Sequence, residues 1–231
     1  MARQVRGAAG LVKVGSELFT AEGPRAVRAL AGLGFGVFLD PKFHDIPNTV
    51  AGAVAAAAEL PKVRLLTVHT LGGTVMMQAA REAVGSNKNR PKLLGVTVLT
   101  SMDEPALQAV GISGSPAERA LALARLAQEA GLDGVVASGH EARAIREACG
   151  PKFLIVVPGV RPASAAANDQ SRVTTPAQAI AAGADYLVVG RPITEAKKPR
   201  DAALAIAKEI ASASNAWAEI PLRYAVASHD V

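Results

Sequence analysis

The stretch FLDPKFHDIPNTV, residues 38–50, carries the strongest signal in the sequence. An apolar run over residues 35–39 stops at Asp40, and Lys42 and Asp45 follow shortly after it. Continuous apolar runs of this length are typical of a parallel strand that is covered on both faces. Charged side chains usually lie on solvated surfaces, so their place at the end of a buried strand indicates a site there.

Similar apolar runs recur along the chain, and helical patterns lie between them. Alternating strands and helices predict right-handed βαβ units and a parallel sheet. The predicted fold class is therefore α/β, a TIM (β/α)₈-type barrel with seven recognisable strands that lacks its first strand and helix unit. The predicted strands cover residues 11–14, 35–40, 64–69, 92–100, 134–138, 153–159 and 186–190.

The chain of 231 residues suits one barrel domain, and no shift in composition marks a linker. We expect residues 1–214 to form the barrel and residues 215–231, which match no βα unit, to form a C-terminal tail. A barrel without one strand would expose sheet edges, which are prone to aggregation.

Composition and charge restrict the partners. Half of the residues are hydrophobic, which excludes a disordered chain, and the net charge of +5 favours an anionic ligand. Aromatic residues make up only 3%, too few for the stacking platforms of a nucleic-acid binder. The single cysteine, Cys149, fits a reducing compartment, and no stretch reaches the ~18 apolar residues of a membrane span. We expect a cytoplasmic protein that binds a small phosphorylated molecule, and neither nucleic acid nor membrane.

The carboxyl ends of barrel strands form one rim, where chemistry collects. The glycine in VVGRPIT, residues 188–194, lets backbone N–H groups approach a phosphate, and Arg191 adds a fork of donors. The long polar loop before it is typical of a lid, although an exposed loop without a ligand role is the alternative. Basic and acidic side chains at this rim are Lys13, Asp40, Lys42, Arg161 and Arg191.

The interleaved charges of Asp40, Lys42 and Asp45 suggest decarboxylation. A lysine held between carboxylates keeps its proton and is a proton donor rather than a nucleophile. An acid held ~4 Å from a substrate carboxylate would repel it by about 4 kcal/mol at an effective dielectric near 20, which favours departure of neutral CO₂. The alternative is an ion-pair network that merely closes the rim.

The sequence resembles the orotidine 5′-phosphate decarboxylases of the bacterial-type branch over nearly all of residues 11–210. The resemblance implies an enzyme, a carboxy-lyase that needs no cofactor and no metal and converts orotidine 5′-phosphate to uridine 5′-phosphate (UMP) in pyrimidine biosynthesis. The segments that carry it include LVKVGSELFTAEGP (11–24), FLDPKFHDIPNTV (38–50), VVPGVRP (156–162), ANDQSRVTTPAQAI (167–180) and YLVVGRPIT (186–194).

The resemblance also implies residue roles. Lys42 would protonate C6 of the pyrimidine, Asp40 would crowd the departing carboxylate, and Lys13 would bind the ribose and Asp40. Asp45 would reach the site of the second subunit in a homodimer with shared active sites. The implied substrate-binding residues are Ile46, Thr49, Thr100, Arg161, Gln170, Gly190 and Arg191.

Two departures from the family pattern leave alternatives open. The family begins with a further βα unit whose strand ends in a ribose-binding aspartate, and it carries an aliphatic residue where this chain has Pro41. One alternative is a sugar-phosphate decarboxylase or aldolase of the same barrel superfamily, which shares the DxKxxD spacing but needs Mg²⁺. Another is a truncated barrel that binds nucleotide phosphate without turnover.

Overall fold

A parallel sheet of eight strands closes on itself in chain order. The computed structural model describes residues 1–162, 174–213 and 224–228. Every strand pairs in parallel with the next, so all carboxyl ends lie at one end of the barrel, here called the mouth. The strands are β1 (Leu11–Gly15), β2 (Gly36–Phe43), β3 (Val63–His69), β4 (Lys92–Val96), β5 (Gly134–Val136), β6 (Leu154–Val157), β7 (Tyr186–Val189) and β8 (Tyr224–Ser228).

Helices surround the sheet and follow the predicted pattern. Proline at the first turn starts several of them, and capping boxes at Ser115–Glu118 and Thr175–Gln178 satisfy free backbone N–H groups. Among the described helices, none is both long enough and apolar enough to cross a membrane. The helices are α1 (Ser16–Glu22), α2 (Pro24–Gly32), α3 (Pro47–Ala58), α4 (Gly73–Ala83), α5 (Glu104–Ala109), α6 (Pro116–Glu129), α7 (Ala142–Cys149), α8 (Pro176–Ala181), α9 (Arg191–Thr194) and α10 (Pro199–Ala213), with 3₁₀ turns at Ala2–Val5 and Thr70–Gly72.

The core has two layers because successive strand residues face opposite sides of the sheet. The larger layer fills the space between sheet and helices. The smaller layer fills the barrel interior, so the barrel is packed below and open only at the mouth. The interior residues are Leu11, Phe38, Leu65, Leu94, Val96, Val136, Val156 and Val188.

The seven predicted strands are confirmed, and the structure adds β8. This strand lies between β7 and β1, with Val226 opposite both Val189 and Val12. The sequence predicts a tail over residues 215–231, whereas Tyr224–Ser228 pair with a strand on each side. Pairing on both sides removes the exposed edges that a seven-stranded sheet would leave. The other tail residues lie outside the described part of the chain.

Candidate active site

A buried carboxylate, Asp40, lies at the centre of the mouth between two ammonium groups. Its side chain is on β2 and the residue is 6% exposed. The Lys42 ammonium donates to Asp40 Oδ2 at 2.8 Å, and Lys13 Nζ on the neighbouring β1 lies 3.5 Å from the same oxygen. A buried charge needs partners of opposite sign. Two cations around one anion leave a net positive centre that suits an anionic substrate.

The segment that carries these charges is a bulge in β2. Leu39 pairs with Leu66 and Phe43 pairs with Val68, so the residues between them on β2 lie opposite Thr67 alone. Lys42 has φ +56°, a left-handed conformation that non-glycine residues rarely adopt and that clusters at functional sites. Despite this irregular backbone, the Lys42 ammonium reaches the carboxylate of Asp40, two residues earlier on the same strand.

The bulge also accounts for Pro41. Proline has no N–H to donate to the ladder and is tolerated in sheets at bulges and edges. Since Pro41 lies inside the irregular part of β2, its ring displaces no regular ladder hydrogen bond between β2 and β3. The departure from the family pattern is therefore compatible with the geometry of Asp40 and Lys42.

Burial lowers the pKa of Lys13, which lies beside Asp40, and of His69, which lies near Lys42. The pKa of Lys13 is lowered, first because burial disfavours the charged form and also because Lys42 repels it, while the attraction of Asp40 acts in the opposite direction. The pKa of His69 is lowered to about 4 by burial and by the neighbouring His44 and Lys42. The His44 and His69 rings stack with their centroids 5.3 Å apart.

A cavity of about 270 Å³ opens above this cluster. Its charged wall comes from β1 and β2, and its opposite wall is mostly apolar. Ligand sites generally combine apolar walls with a few placed polar groups, and this cavity has both. The lining residues are Lys13, Phe38, Asp40, Lys42, Val96, Val98, Leu99, Thr100, Ser101, Val136, Ala137, Pro158 and Val188.

Four of the other candidate residues lie around the mouth. Thr100 lines the cavity, and Gly190 and Arg191 follow β7 at the start of α9. Arg161 is buried, and its backbone N–H donates to Thr174 O at 3.1 Å. Gln170 lies outside the described residues.

The candidates after the bulge face outward instead. Asp45, Ile46 and Thr49 are all exposed on this chain. The Asp45 carboxylate accepts the backbone N–H of Ile46 at 2.7 Å, and Ile46 itself is 66% exposed. The described chain therefore brings Lys13, Asp40 and Lys42 together. Asp45, Ile46 and Thr49 are instead exposed to solvent.

Thr67, which is fully buried beneath the bulge, was not predicted from the sequence. Its hydroxyl donates to Asp40 Oδ1 at 2.9 Å and accepts the backbone N–H of Lys42 at 3.0 Å. The only signal in the sequence is a polar residue inside the apolar run RLLTVH, and threonine is common in strands. Within the described residues, no group of three or more metal-ligating side chains occurs.

A closed parallel barrel with a charged cavity at the carboxyl ends of its strands defines an enzyme of the TIM-barrel class. The sequence profile of the orotidine 5′-phosphate decarboxylase / HUMPS family matches residues 1–206. The chain therefore belongs to this family.

Relatives and solved structures agree with that assignment. Orotidine 5′-phosphate decarboxylase of Nitrosococcus oceani is 54% identical over 212 residues, covering 92% of this chain and 91% of the relative. That of Halorhodospira halophila is 57% identical over 202 residues, covering 87% of this chain and 85% of the relative. The crystal structure of orotidine 5′-phosphate decarboxylase from Lactobacillus acidophilus superposes with a TM-score of 0.77 at 38% identity, covering 90% of this chain and 92% of that one.

Proposed function

We propose that Lys42 is the proton donor in a cofactor-free decarboxylation of orotidine 5′-phosphate to UMP, a step of pyrimidine biosynthesis. Family membership and the identity to the bacterial decarboxylases support the reaction. One observation supports the role of Lys42: its ammonium lies 2.8 Å from buried Asp40 and lines the cavity.

In the proposed reaction the bond between C6 and the carboxylate breaks and CO₂ departs. The electron pair of that bond stays on C6, and the Lys42 ammonium gives it a proton. The neutral amine then recovers a proton from water. Preorganised charge of this kind stabilises a transition state because it needs no reorganisation during the reaction.

Asp40 and Lys13 complete the proposed charge arrangement. The Asp40 carboxylate holds both ammonium groups and would repel a substrate carboxylate placed beside it, a repulsion that disappears when CO₂ leaves. The Lys13 side chain, 15% exposed, lies beside the same oxygen and would bind the ribose.

The phosphate would bind at the end of β7. Gly190 and Arg191 lie there, at the start of α9, and Arg161 lies on the adjacent loop. Arginine suits this task because its planar fork matches two phosphate oxygens. Gln170 would contact the phosphate, a role that rests on the resemblance alone. Thr100, which lines the cavity, would contact the base.

A homodimer with shared active sites accounts for the exposed candidates. Ile46 is 66% exposed, Leu71 in the 3₁₀ turn after β3 is 46% exposed, and Val75 in the first turn of α4 is 68% exposed. Apolar side chains clustered at one rim are typical of an interaction surface. Such a surface would carry Asp45 and Thr49 of one subunit towards the cavity of the other. A cytoplasmic location stays a prediction from the sequence.

The proposal predicts that Lys42→Ala abolishes decarboxylation. The assay follows the absorbance of orotidine 5′-phosphate with purified protein in EDTA, and a parallel titration measures UMP binding. We expect turnover by the wild type and none detectable by Lys42→Ala, with UMP still bound. Loss of a proton donor costs about 10²–10⁴-fold, and loss of the preorganised charge adds to it.

Lys92→Ala is the matched control for Lys42→Ala. Lys92 also pairs with an aspartate, Asp133, at 3.3 Å, but it lies at the opposite end of the barrel. Equal rates of the wild type and Lys42→Ala would refute the assignment of Lys42. Turnover only of sugar phosphates with Mg²⁺, or UMP binding without any turnover, would refute the proposed reaction.

A further inference from the structure

We propose that Thr67 is a positioning residue that fixes Asp40 and Lys42 relative to each other, an inference that rests on the proposed function. Thr67 is a β3 residue, contributed by a different strand from the charged pair. Its hydroxyl bonds to the side chain of one member and to the backbone of the other. The three residues therefore form a closed ring of hydrogen bonds.

The bulge creates the need for this hydroxyl. Regular pairing of β2 with β3 stops at Leu39–Leu66 and resumes at Phe43–Val68. Between these pairs the backbone N–H of Lys42 donates to Thr67 Oγ1. A side-chain oxygen thus replaces the carbonyl that a regular ladder would supply, and it holds Lys42 at φ +56°.

The direction of the hydroxyl proton follows from its two partners. A hydroxyl has one proton to donate and two lone pairs that accept. Because the Lys42 N–H is a donor, Thr67 Oγ1 accepts there and its own proton points to Asp40 Oδ1. An ionised carboxylate only accepts, so the assignment is consistent at both ends.

This donation fixes the rotation of the Asp40 carboxylate. With Oδ1 held by Thr67, Oδ2 is directed to Lys42 at 2.8 Å and to Lys13 at 3.5 Å. If the carboxylate rotated, Oδ1 would lose the hydrogen bond from Thr67, and Oδ2 would no longer face the two ammonium groups. Thr67 itself is fully buried and lies outside the set of cavity-lining residues, so it acts through the charged pair and not on the substrate.

The test compares Thr67→Val, which keeps the shape and removes the hydroxyl, with Thr67→Ser, which keeps the hydroxyl. Hydrogen bonds to charged groups contribute enough that we expect kcat of Thr67→Val to fall about ten- to hundredfold. UMP affinity should change little, because Thr67 does not line the cavity. Thr67→Ser should recover most of the lost kcat.

Thr97→Val is the matched control. Thr97 is also fully buried and its hydroxyl also makes a 2.9 Å hydrogen bond, but to the backbone carbonyl of Val136. Its loss should lower the thermal midpoint about as much as Thr67→Val does while kcat stays near that of the wild type. If Thr67→Val unfolds at the assay temperature, Thr67→Ala, which leaves space instead of a methyl group against the carboxylate, gives the same comparison.

The outcomes separate this inference from the proposed function. A wild-type kcat in Thr67→Val, or equal losses in Thr67→Val and Thr97→Val, would overturn the role of Thr67 while decarboxylation stands. Failure of Thr67→Ser to recover kcat would also overturn it, since the hydroxyl would then not be the cause. An active Lys42→Ala variant would refute the proposed function itself.

Discussion

At the scale of single residues, burial and charge at the mouth determine which protonation states occur near neutral pH. Asp40, Lys13 and Lys42 were predicted because charged side chains directly after an apolar run are rare and informative. The direction of the Lys13 pKa shift could not be predicted. It depends on how deeply the ammonium is buried, and on β1 lying beside β2, and neither follows from spacing along the chain.

His69 predicts a pH dependence of stability. Its pKa is about 4 in the folded protein and near 6.5 in the unfolded chain, mainly because burial disfavours the charged ring. Between these values the unfolded state binds a proton that the folded state does not. The free energy of unfolding contributed by this group therefore decreases as the pH falls from about 6.5 to about 4.

His69→Asn should weaken that dependence. An asparagine oxygen can accept the Leu71 N–H that His69 Nδ1 accepts at 3.3 Å, so the local turn is kept. Urea unfolding at pH 7 and pH 5 would give the loss of free energy for each protein, and we expect a smaller loss in His69→Asn. His140→Asn, which changes an exposed imidazole, should behave like the wild type. Equal losses in all three proteins would contradict the prediction.

At the scale of elements, the sequence predicted the strands and helices but not the bulge. The predicted strand ended at Asp40, whereas β2 continues to Phe43 and turns irregular between Leu39 and Phe43. Apolar periodicity locates buried faces, and it carries no information on which residues lose their partner across the ladder. For the same reason Thr67 was missed, because its role depends on the register of β3 against the bulge.

Pro41→Leu tests whether the bulge tolerates both residue types. Because Pro41 lies in the irregular part of β2, we expect kcat/KM to stay within a few-fold of the wild type. Replacing proline gives the unfolded chain more conformations, so the free energy of unfolding should fall by about 0.4–1 kcal/mol. Steady-state kinetics and urea unfolding measure the two effects. A large rise in kcat in Pro41→Leu would show instead that the proline displaces Lys42 from its working position.

At the scale of the whole molecule, barrel closure depends on the pairing of β8 with β1. These strands lie near opposite ends of the chain, and the family profile matches only residues 1–206, which do not include β8. A strand this short carries no periodicity that identifies distant partner strands, so the sequence predicts a tail in its place. We propose that residues 1–162 and 174–213 belong to one barrel domain together with β8.

A cysteine pair across β1 and β8 tests this closure. Val12 lies opposite Val226, and neighbouring strands run about 4.8 Å apart, within the reach of a disulfide. Val12→Cys with Val226→Cys should therefore cross-link under mild oxidation, which mass spectrometry of a proteolytic digest detects. The new bond would close a loop of nearly the whole chain, so we expect a thermal midpoint several degrees higher in the oxidised form than in the reduced form.

The register supplies the control for this cross-link. Val12→Cys with Ala225→Cys moves the second thiol by one residue, and successive strand residues point to opposite faces of the sheet. This pair should cross-link much less, although its two cysteines are separated by almost the same number of residues as those of the first pair. The single native cysteine, Cys149, is buried in the core and is present in both variants, so its contribution cancels. Equal cross-linking of the two pairs would mean that the segment samples many registers, and then the barrel would not be closed by β8 in solution.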